Sequence, residues 1–332
     1  MSSVDVVVID LVDSDGVAGL GFTYVIGGSG ATVLAAAREQ IAQHVLGRPS
    51  LPPQALWRTI AAGFGRTGLG PNLLALAAID VAAWDVESRR RALPLGVAMG
   101  GTPRPVAVYG SGGFTASQSP EDAAGVAAAH AAAGLGAVKP RVRGARSDEA
   151  LLSAVRDAVP PHVHVMADAN EKCDLPRALW LAAAARERGV LFVEEPLPAG
   201  QLEGYRTLAR SGGASVAAGE HLQGQAFHPF IAEHLLAVVQ PDLAMAGGLT
   251  PALDLSRLCE MSGLSVSPHF LPGLFVHVAA ASPAIVWLEQ FPLLEPLFDG
   301  WPQLSPEGTM SPRDVPGHGL TMPQDIRRRL AI

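Results

Sequence analysis

Cysteine, aromatic residues and long apolar runs are all scarce in this chain, and each scarcity removes a class of protein. Only two cysteines, Cys173 and Cys259, occur in 332 residues. That is too few for a disulfide-stapled secreted scaffold, and a reducing cytoplasm is the expected setting. Aromatics make up 5%, so the core has to be built from Ala, Val and Leu. No apolar run approaches the roughly 18–20 residues that cross a bilayer; the longest, residues 73–84, is interrupted by Asp80. Asp5, Asp10, Asp13 and Asp15 fall where a secretion signal would carry its apolar segment. Basic residues are in the minority, 24 Lys and Arg against 31 Asp and Glu, for a net charge of −7. The runs Arg89-Arg90-Arg91 and Arg327-Arg328-Arg329 are short and suit helix ends, so neither nucleic acid nor membrane is an expected partner.

What is abundant is apolar residues, 48% against 17% charged, enough for a large buried core. The opening stretch VDVVVIDLVDSDGVAGLGFTYV alternates apolar and polar residues around Ser14-Asp15-Gly16, which predicts two strands and a turn. Helical spacing follows from about Ala31 to Gly47, Pro53 to Ala62 and Pro71 to Arg91. From Pro105 the pattern changes. Eight short apolar runs (VAVYGS, GAVKPRV, HVHVMADAN, VLFVEEP, SVAAGE, LAVVQPD, LSVSPHF and AIVWLE) alternate with Ala-rich helical stretches. Eight near-equal strand–helix units favour a closed parallel barrel over an open doubly wound sheet. The expected architecture is α/β: an α+β capping domain over residues 1–104, a modified TIM barrel, (β/α)7β, over 105–289, and a Pro- and Gly-rich segment, 290–332, that packs back on the cap.

Each apolar run ends in polar residues foreign to a core: Lys139 and Arg141, Asp168 and Asn170, Glu194 and Glu195, Glu220 and His221, Asp242, His269, and Glu289. A parallel barrel opens all its strand C-termini on one face, so these residues would converge. A single strand-end Glu is ordinarily a solvated loop residue. Three carboxylates on successive strands, Asp168, Glu194 and Glu220, would repel without a cation and form an all-oxygen set suited to Mg²⁺. A lone His269 would read as structural; with Asp242 one strand away it reads as a base whose tautomer is fixed. Lys139 and Arg141 share a strand face and need anionic company.

These motifs, KPR, DAN, EEP, GEH, PDLAMAGG, SPHF and WLE in order after the segment AAIDVAAWDVESRRRALPLGVAMGG, resemble the mandelate racemase subgroup of the enolase superfamily over nearly the whole chain. The resemblance implies Mg²⁺ ligands at Asp168, Glu194 and Glu220, and a catalytic dyad of Asp242 and His269. It implies Lys139 and Glu289, the latter protonated or sharing a proton, as stabilisers of an enediolate. It places Arg141 at the second position of the family's Lys-x-Lys. Asn170 resembles the polar neighbour of the first ligand and, with His221, is an expected substrate contact; Arg66, in the Gly-rich candidate lid Gly63–Pro71, is a candidate contact for a distal polar group of the substrate, with a plain surface Arg the equal alternative. Relatives also usually carry a further strand and lid loop before the segment that opens here, which leaves the first strand and that loop apparently absent.

With Lys at the second position, relatives gain a second base; a guanidinium with pKa above about 12 accepts protons poorly. One-base chemistry is therefore expected, namely dehydration of a sugar acid to a 2-keto-3-deoxy acid in carbohydrate-acid catabolism. The alternatives are a racemase or epimerase of a hydroxy or amino acid, and a degenerate, non-catalytic metal-binding barrel. The expected partner is a small-molecule carboxylate, and relatives suggest a homo-oligomer.

Overall fold

A computed structural model describes residues 3–330 of the protein. Strands β1 (Val4–Val12) and β2 (Ala18–Ile26) pair as an antiparallel hairpin. The Asp13 carboxylate closes its turn by accepting from the N–H groups of Asp15 and Val17. Helices α1 (Gly30–His44), α2 (Pro53–Ala61) and α3 (Gly70–Arg90) follow, and α2 and α3 carry Pro in the first turn, where its missing N–H costs nothing.

Helix α3 is the keel of the molecule. Every residue from Ala75 to Val86 is buried, because the helix is apolar on all sides and is packed on all sides. Strand β2 lies against its alanines. A Cβ on Gly21 would stand 2.0 Å from the Ala78 carbonyl oxygen, so only glycine permits this approach. The two carboxylates that interrupt the helix's apolar run are both paired. Asp80 accepts from the Thr250 N–H and hydroxyl, each at 2.7 Å, which ties the cap to barrel helix Leu249–Met261. Asp85 accepts from the N–H groups of Leu20 at 2.9 Å and His318 at 3.0 Å, and from Arg89 at 2.8 Å. Burying these acids is tolerable only because each is hydrogen-bonded.

The barrel strands are β3 (Val106–Gly110), β4 (Ala137–Val138), β5 (His164–Val165), β6 (Ala167–Asp168), β7 (Val193–Glu194), β8 (Val216–Ala218), β9 (Val238–Val239), β10 (Ser265–Val266) and β11 (Trp287–Gln290). Their ladders are all parallel, in the orders β11-β3-β4-β5 and β10-β9-β8-β7-β6. One difference from expectation is the run HVHVMADAN, which is interrupted at Met166. Its first half pairs with β4 and its second with β7. Met166 is fully buried in one interior cluster with Tyr109, Ala137, Phe192 and Ala217, and the chain changes ladder partner around it. With β5 and β6 as one tilted strand, and an isolated Val266–Ile285 bridge across the last seam, eight strands close a ring. Helices connect consecutive strands, giving the (β/α)7β order.

After β11 the chain adds β12 (Thr309–Met310), antiparallel to β3. It then returns to the cap, where Gly317 bridges Pro94 and His318 Nε2 bonds the Leu20 carbonyl at 2.7 Å. Among the described residues no helix is long and apolar enough to cross a membrane, and both cysteines are buried and free. Replacing Gly21 by Ala drives a methyl into helix backbone that has no room to yield. Overpacking of this kind costs about 1–3 kcal/mol, so thermal unfolding of the Gly21→Ala protein is expected several degrees below wild type, and an unchanged Tm would contradict the packing described.

Candidate active site

The C-terminal ends of the barrel strands open into a cavity of about 690 Å³ that the cap covers from above. Its floor is built around a lysine. Lys139 follows β4 and is 1% exposed. Its ammonium lies 2.5 Å from Glu194 Oε2, 3.0 Å from Glu289 Oε1 and 3.9 Å from Asp168 Oδ2. Burial opposes its charge, but these acids overcome that penalty and raise its pKa well above the usual lysine range. Arg141, two residues on, donates to Asp168 Oδ2 at 2.5 Å.

Asp168 and Glu194 are register partners on adjacent strands, and Glu220 follows β8. All three carboxyls are pushed up in pKa, first by burial. Asp168 is raised further by Glu194, and Glu194 by Glu220, against the opposing pull of Lys139. Glu194 also accepts from Gln240 Nε2 at 2.6 Å, while its Oε1 is buried without any partner. The Asn170 side chain donates to Glu220 at 3.2 Å and its N–H to Asp168 at 2.8 Å. Five acids, Asp168, Glu194, Glu220, Asp242 and Glu289, thus face two permanent cations. An all-oxygen donor set, an orphaned carboxylate oxygen and this excess of negative charge fit a hard divalent ion.

The three carboxylates are not gathered around a common point. Each is turned to a nitrogen: Asp168 to Arg141, Glu194 to Lys139, and Glu220 to His269 Nε2 at 3.2 Å. Among the described residues, the group whose ligand atoms all lie within 4.8 Å of one another is instead Glu171, Glu195 and His221. There His221 Nδ1 lies 2.7 Å from Glu195 Oε2 and 3.6 Å from Glu220 Oε1, and the Glu195 hydrogen bond lifts the imidazole to about 9. That is the signature of an imidazolium held by carboxylates, so His221 is the cation of this group.

His269 and Asp242 form a second unit. His269 Nδ1 is 3.0 Å from Asp242 Oδ2. Asp242 is fixed from two other sides: its Oδ1 accepts from the Met245 N–H at 2.9 Å, and its Oδ2 also accepts from the Tyr24 hydroxyl. Burial disfavours the imidazolium, yet Glu220 and Asp242 outweigh it and hold His269 at about 10. Glu289 goes the other way from Asp168, Glu194 and Glu220: Lys139 and His269 overcome its burial and hold it well below the usual carboxylate range, and it accepts from the Phe270 N–H at 2.8 Å. The buried ammonium beside it favours its charged form.

Residues 1–100 match the mandelate racemase / muconate lactonizing enzyme N-terminal domain, and residues 121–326 match the enolase C-terminal domain-like family. The chain belongs to the mandelate racemase/muconate lactonizing enzyme family of the enolase superfamily. It is 31% identical to the L-talarate/galactarate dehydratase of Salmonella typhimurium, over 99% of this chain and 83% of the relative. It is 27% identical to the 3,6-anhydro-alpha-L-galactonate cycloisomerase of Streptomyces coelicolor, over 100% and 93%. The crystal structure of L-talarate dehydratase from Polaromonas, complexed with Mg and L-glucarate, superposes with a TM-score of 0.91 at 31% identity, covering 98% of this chain and 92% of that one.

For this family member, the cavity wall holds Arg141, Asp168, Asn170, Glu220, His221, Asp242, His269 and Glu289. Lys139 and Glu194 lie sealed beneath it. Arg66, which follows the 3₁₀ turn Ala62–Gly65, is exposed and is not among the lining residues. Two residues that touch the site were not anticipated. Tyr24 sits on the inward face of β2 with Leu20 and Phe22, and a buried tyrosine hydroxyl needs a partner, so the strand pattern held the signal. Gln240 precedes Asp242 by two positions and shares its face of the strand end.

The raised carboxyl pKa values give a sign. In metal-stripped protein the folded carboxyls keep protons that unfolded ones have lost, so stability falls as pH rises from the ordinary carboxylate range toward neutrality. A bound divalent ion competes with those protons. Mg²⁺ at 100 times its Kd is therefore expected to add about 2.7 kcal/mol at neutral pH and less near pH ~5. Calorimetric melting with and without Mg²⁺ checks this, and Glu194→Gln should abolish most of the gain. A gain independent of pH, or unaffected by that substitution, would contradict the assignment.

Proposed function

We propose that this protein dehydrates a sugar acid with Mg²⁺ as cofactor, drawing the proton from the carbon next to the carboxylate. The observation that carries this reading is the His269–Asp242 pair: the imidazole Nδ1 is braced 3.0 Å from Asp242, and its Nε2 lies 3.2 Å from Glu220, one of the three carboxylates that would hold the cation. Arg141, which lines the same cavity, stays protonated and supplies no second base.

Asp168, Glu194 and Glu220 would hold the cation, which when bound polarises the substrate carboxylate and offsets its growing charge. Lys139 and Arg141 add fixed positive charge at the same end, and both are already positioned by buried acids, so little reorganisation accompanies the reaction. With Glu220 committed to the cation, its support of the His269 imidazolium would weaken, and Nε2 would be available as the base. Asp242 keeps the Nδ1 proton in place. His269 takes the α-proton; the β-carbon–oxygen bond then breaks, and the same imidazolium returns the proton to the departing hydroxyl, which leaves as water. The enol tautomerises to the 2-keto-3-deoxy acid. Glu289, ionised and fixed by the Phe270 N–H, orients the Lys139 ammonium.

Racemisation or epimerisation is the second reading, favoured by the likeness to the crystal structure of a racemase from Streptomyces coelicolor with bound magnesium (TM-score 0.93, 27% identity). Elimination yields a keto acid and epimerisation does not. His269→Asn is expected to lower turnover and α-proton exchange in D₂O by about 10²–10⁴-fold, the range for a general base. Arg141→Lys keeps the charge and is expected to change KM more than kcat. Exchange at near wild-type rate in His269→Asn protein would refute the base assignment.

A further inference from the structure

The carboxylate of Glu194 is held unlike those of Asp168 and Glu220. In the latter two a nitrogen stands beside each oxygen: Arg141 and the Asn170 N–H for Asp168, the Asn170 side chain and His269 for Glu220. In Glu194 both donors fall on one atom. Its Oε2 accepts from the Lys139 ammonium at 2.5 Å and from Gln240 Nε2 at 2.6 Å, which fills the two lone pairs of a carboxylate oxygen. Its Oε1 is buried and accepts from nothing.

Both donors are fixed in place. Lys139 commits its other N–H groups to Glu289 Oε1 at 3.0 Å and to the Tyr109 hydroxyl at 3.3 Å. Gln240 is fully buried. Its backbone N–H donates to the Ala218 carbonyl at 2.9 Å. A Cβ on Gly219 would stand 2.9 Å from the Gln240 carbonyl oxygen, so the end of β8 lies directly on its backbone. An ionised acid can only accept, so the Gln240 amide must turn its NH₂ and not its oxygen to Glu194.

We infer that Gln240 is a positioning residue for the cation: with Lys139 it claims Glu194 Oε2, so that Glu194 binds the divalent ion through Oε1 alone. This rests on the Mg²⁺ ligand set of the function proposed above. A carboxylate offering one oxygen suits Mg²⁺, which demands near-octahedral geometry at short distance, whereas Ca²⁺ readily takes both oxygens of a carboxylate. The two donors therefore bear on which ion the site prefers, and not only on how tightly it binds. Hydrogen-bond partners of metal ligands commonly carry a factor of about 10–100 in metal affinity.

Calorimetric titration of the metal-free, full-length protein with Mg²⁺ and, separately, with Ca²⁺ tests this. Gln240→Met keeps the bulk and removes the amide. In that protein the Kd for Mg²⁺ is expected to rise about 10–100-fold. The Kd for Ca²⁺ should rise by no more than about 3-fold, because the released Oε2 can join the larger ion. A merely structural role for Gln240 would weaken both ions alike. Equal weakening, or a Mg²⁺ Kd within about 3-fold of wild type, overturns the inference. A second measurement needs no variant. In crystals of the wild-type protein with Mn²⁺, located by its anomalous scattering, Glu194 Oε1 is expected in the coordination sphere and Oε2 outside it, still bonded to Gln240. An ion bonded through Oε2, or through both oxygens, overturns the inference and leaves the cation site intact. No ion at Glu194 overturns both.

Discussion

A fully buried ammonium ringed by carboxylates is the constraint on which the rest of this site depends. Lys139 lies within 4.0 Å of Asp168, Glu194 and Glu289, all of them buried. An unpaired charge at this depth would be prohibitive, and so would the acids without it. The arrangement balances only partly, since the acids outnumber the cations. The remaining negative charge and the orphaned Glu194 oxygen turn a structural ion cluster into a receptor for a divalent ion and an anionic substrate. Stability and chemistry are set by the same electrostatic imbalance.

The cap is coupled to that centre through few, specific bonds. The glycines of β2 let it lie on the alanines of α3, and α3 is pinned to the barrel by Asp80 and to the tail by Asp85. This rigid seat brings Tyr24 to Asp242 and places Tyr24, Val25 and Ile26 in the cavity wall. One strand therefore orients the base's carboxylate partner with a hydroxyl and lines the cavity beside it.

Much of this was legible in the sequence because barrels convert strand order into proximity. Asp168, Glu194, Glu220, Asp242, His269 and Glu289 are spread over more than a hundred positions, yet each closes an apolar run, and parallel strands end on one face. The interruption at Met166 was not legible, since it arises from barrel tilt and from which neighbour each half of the run pairs with. The lowered pKa of Glu289 was not legible either. It depends on a 3.0 Å approach by Lys139 that no local pattern encodes. Arg66 is not among the cavity-lining residues; a Gly-rich loop leaves the direction of its side chain unspecified in sequence, whereas Tyr24 and Gln240 could be found only by asking where buried polar groups are satisfied.

The central claim is that Asp168, Glu194 and Glu220 share one cation beside His269. It is tested most directly by locating Mn²⁺ through its anomalous scattering in crystals grown with an unreactive acid-sugar analogue. The account predicts one ion bonded to oxygens of all three residues at about 2.0–2.2 Å, with His269 Nε2 turned from Glu220 toward the analogue's α-carbon. An ion seated instead among Glu171, Glu195 and His221, or a His269 ring directed away from the analogue, would contradict it.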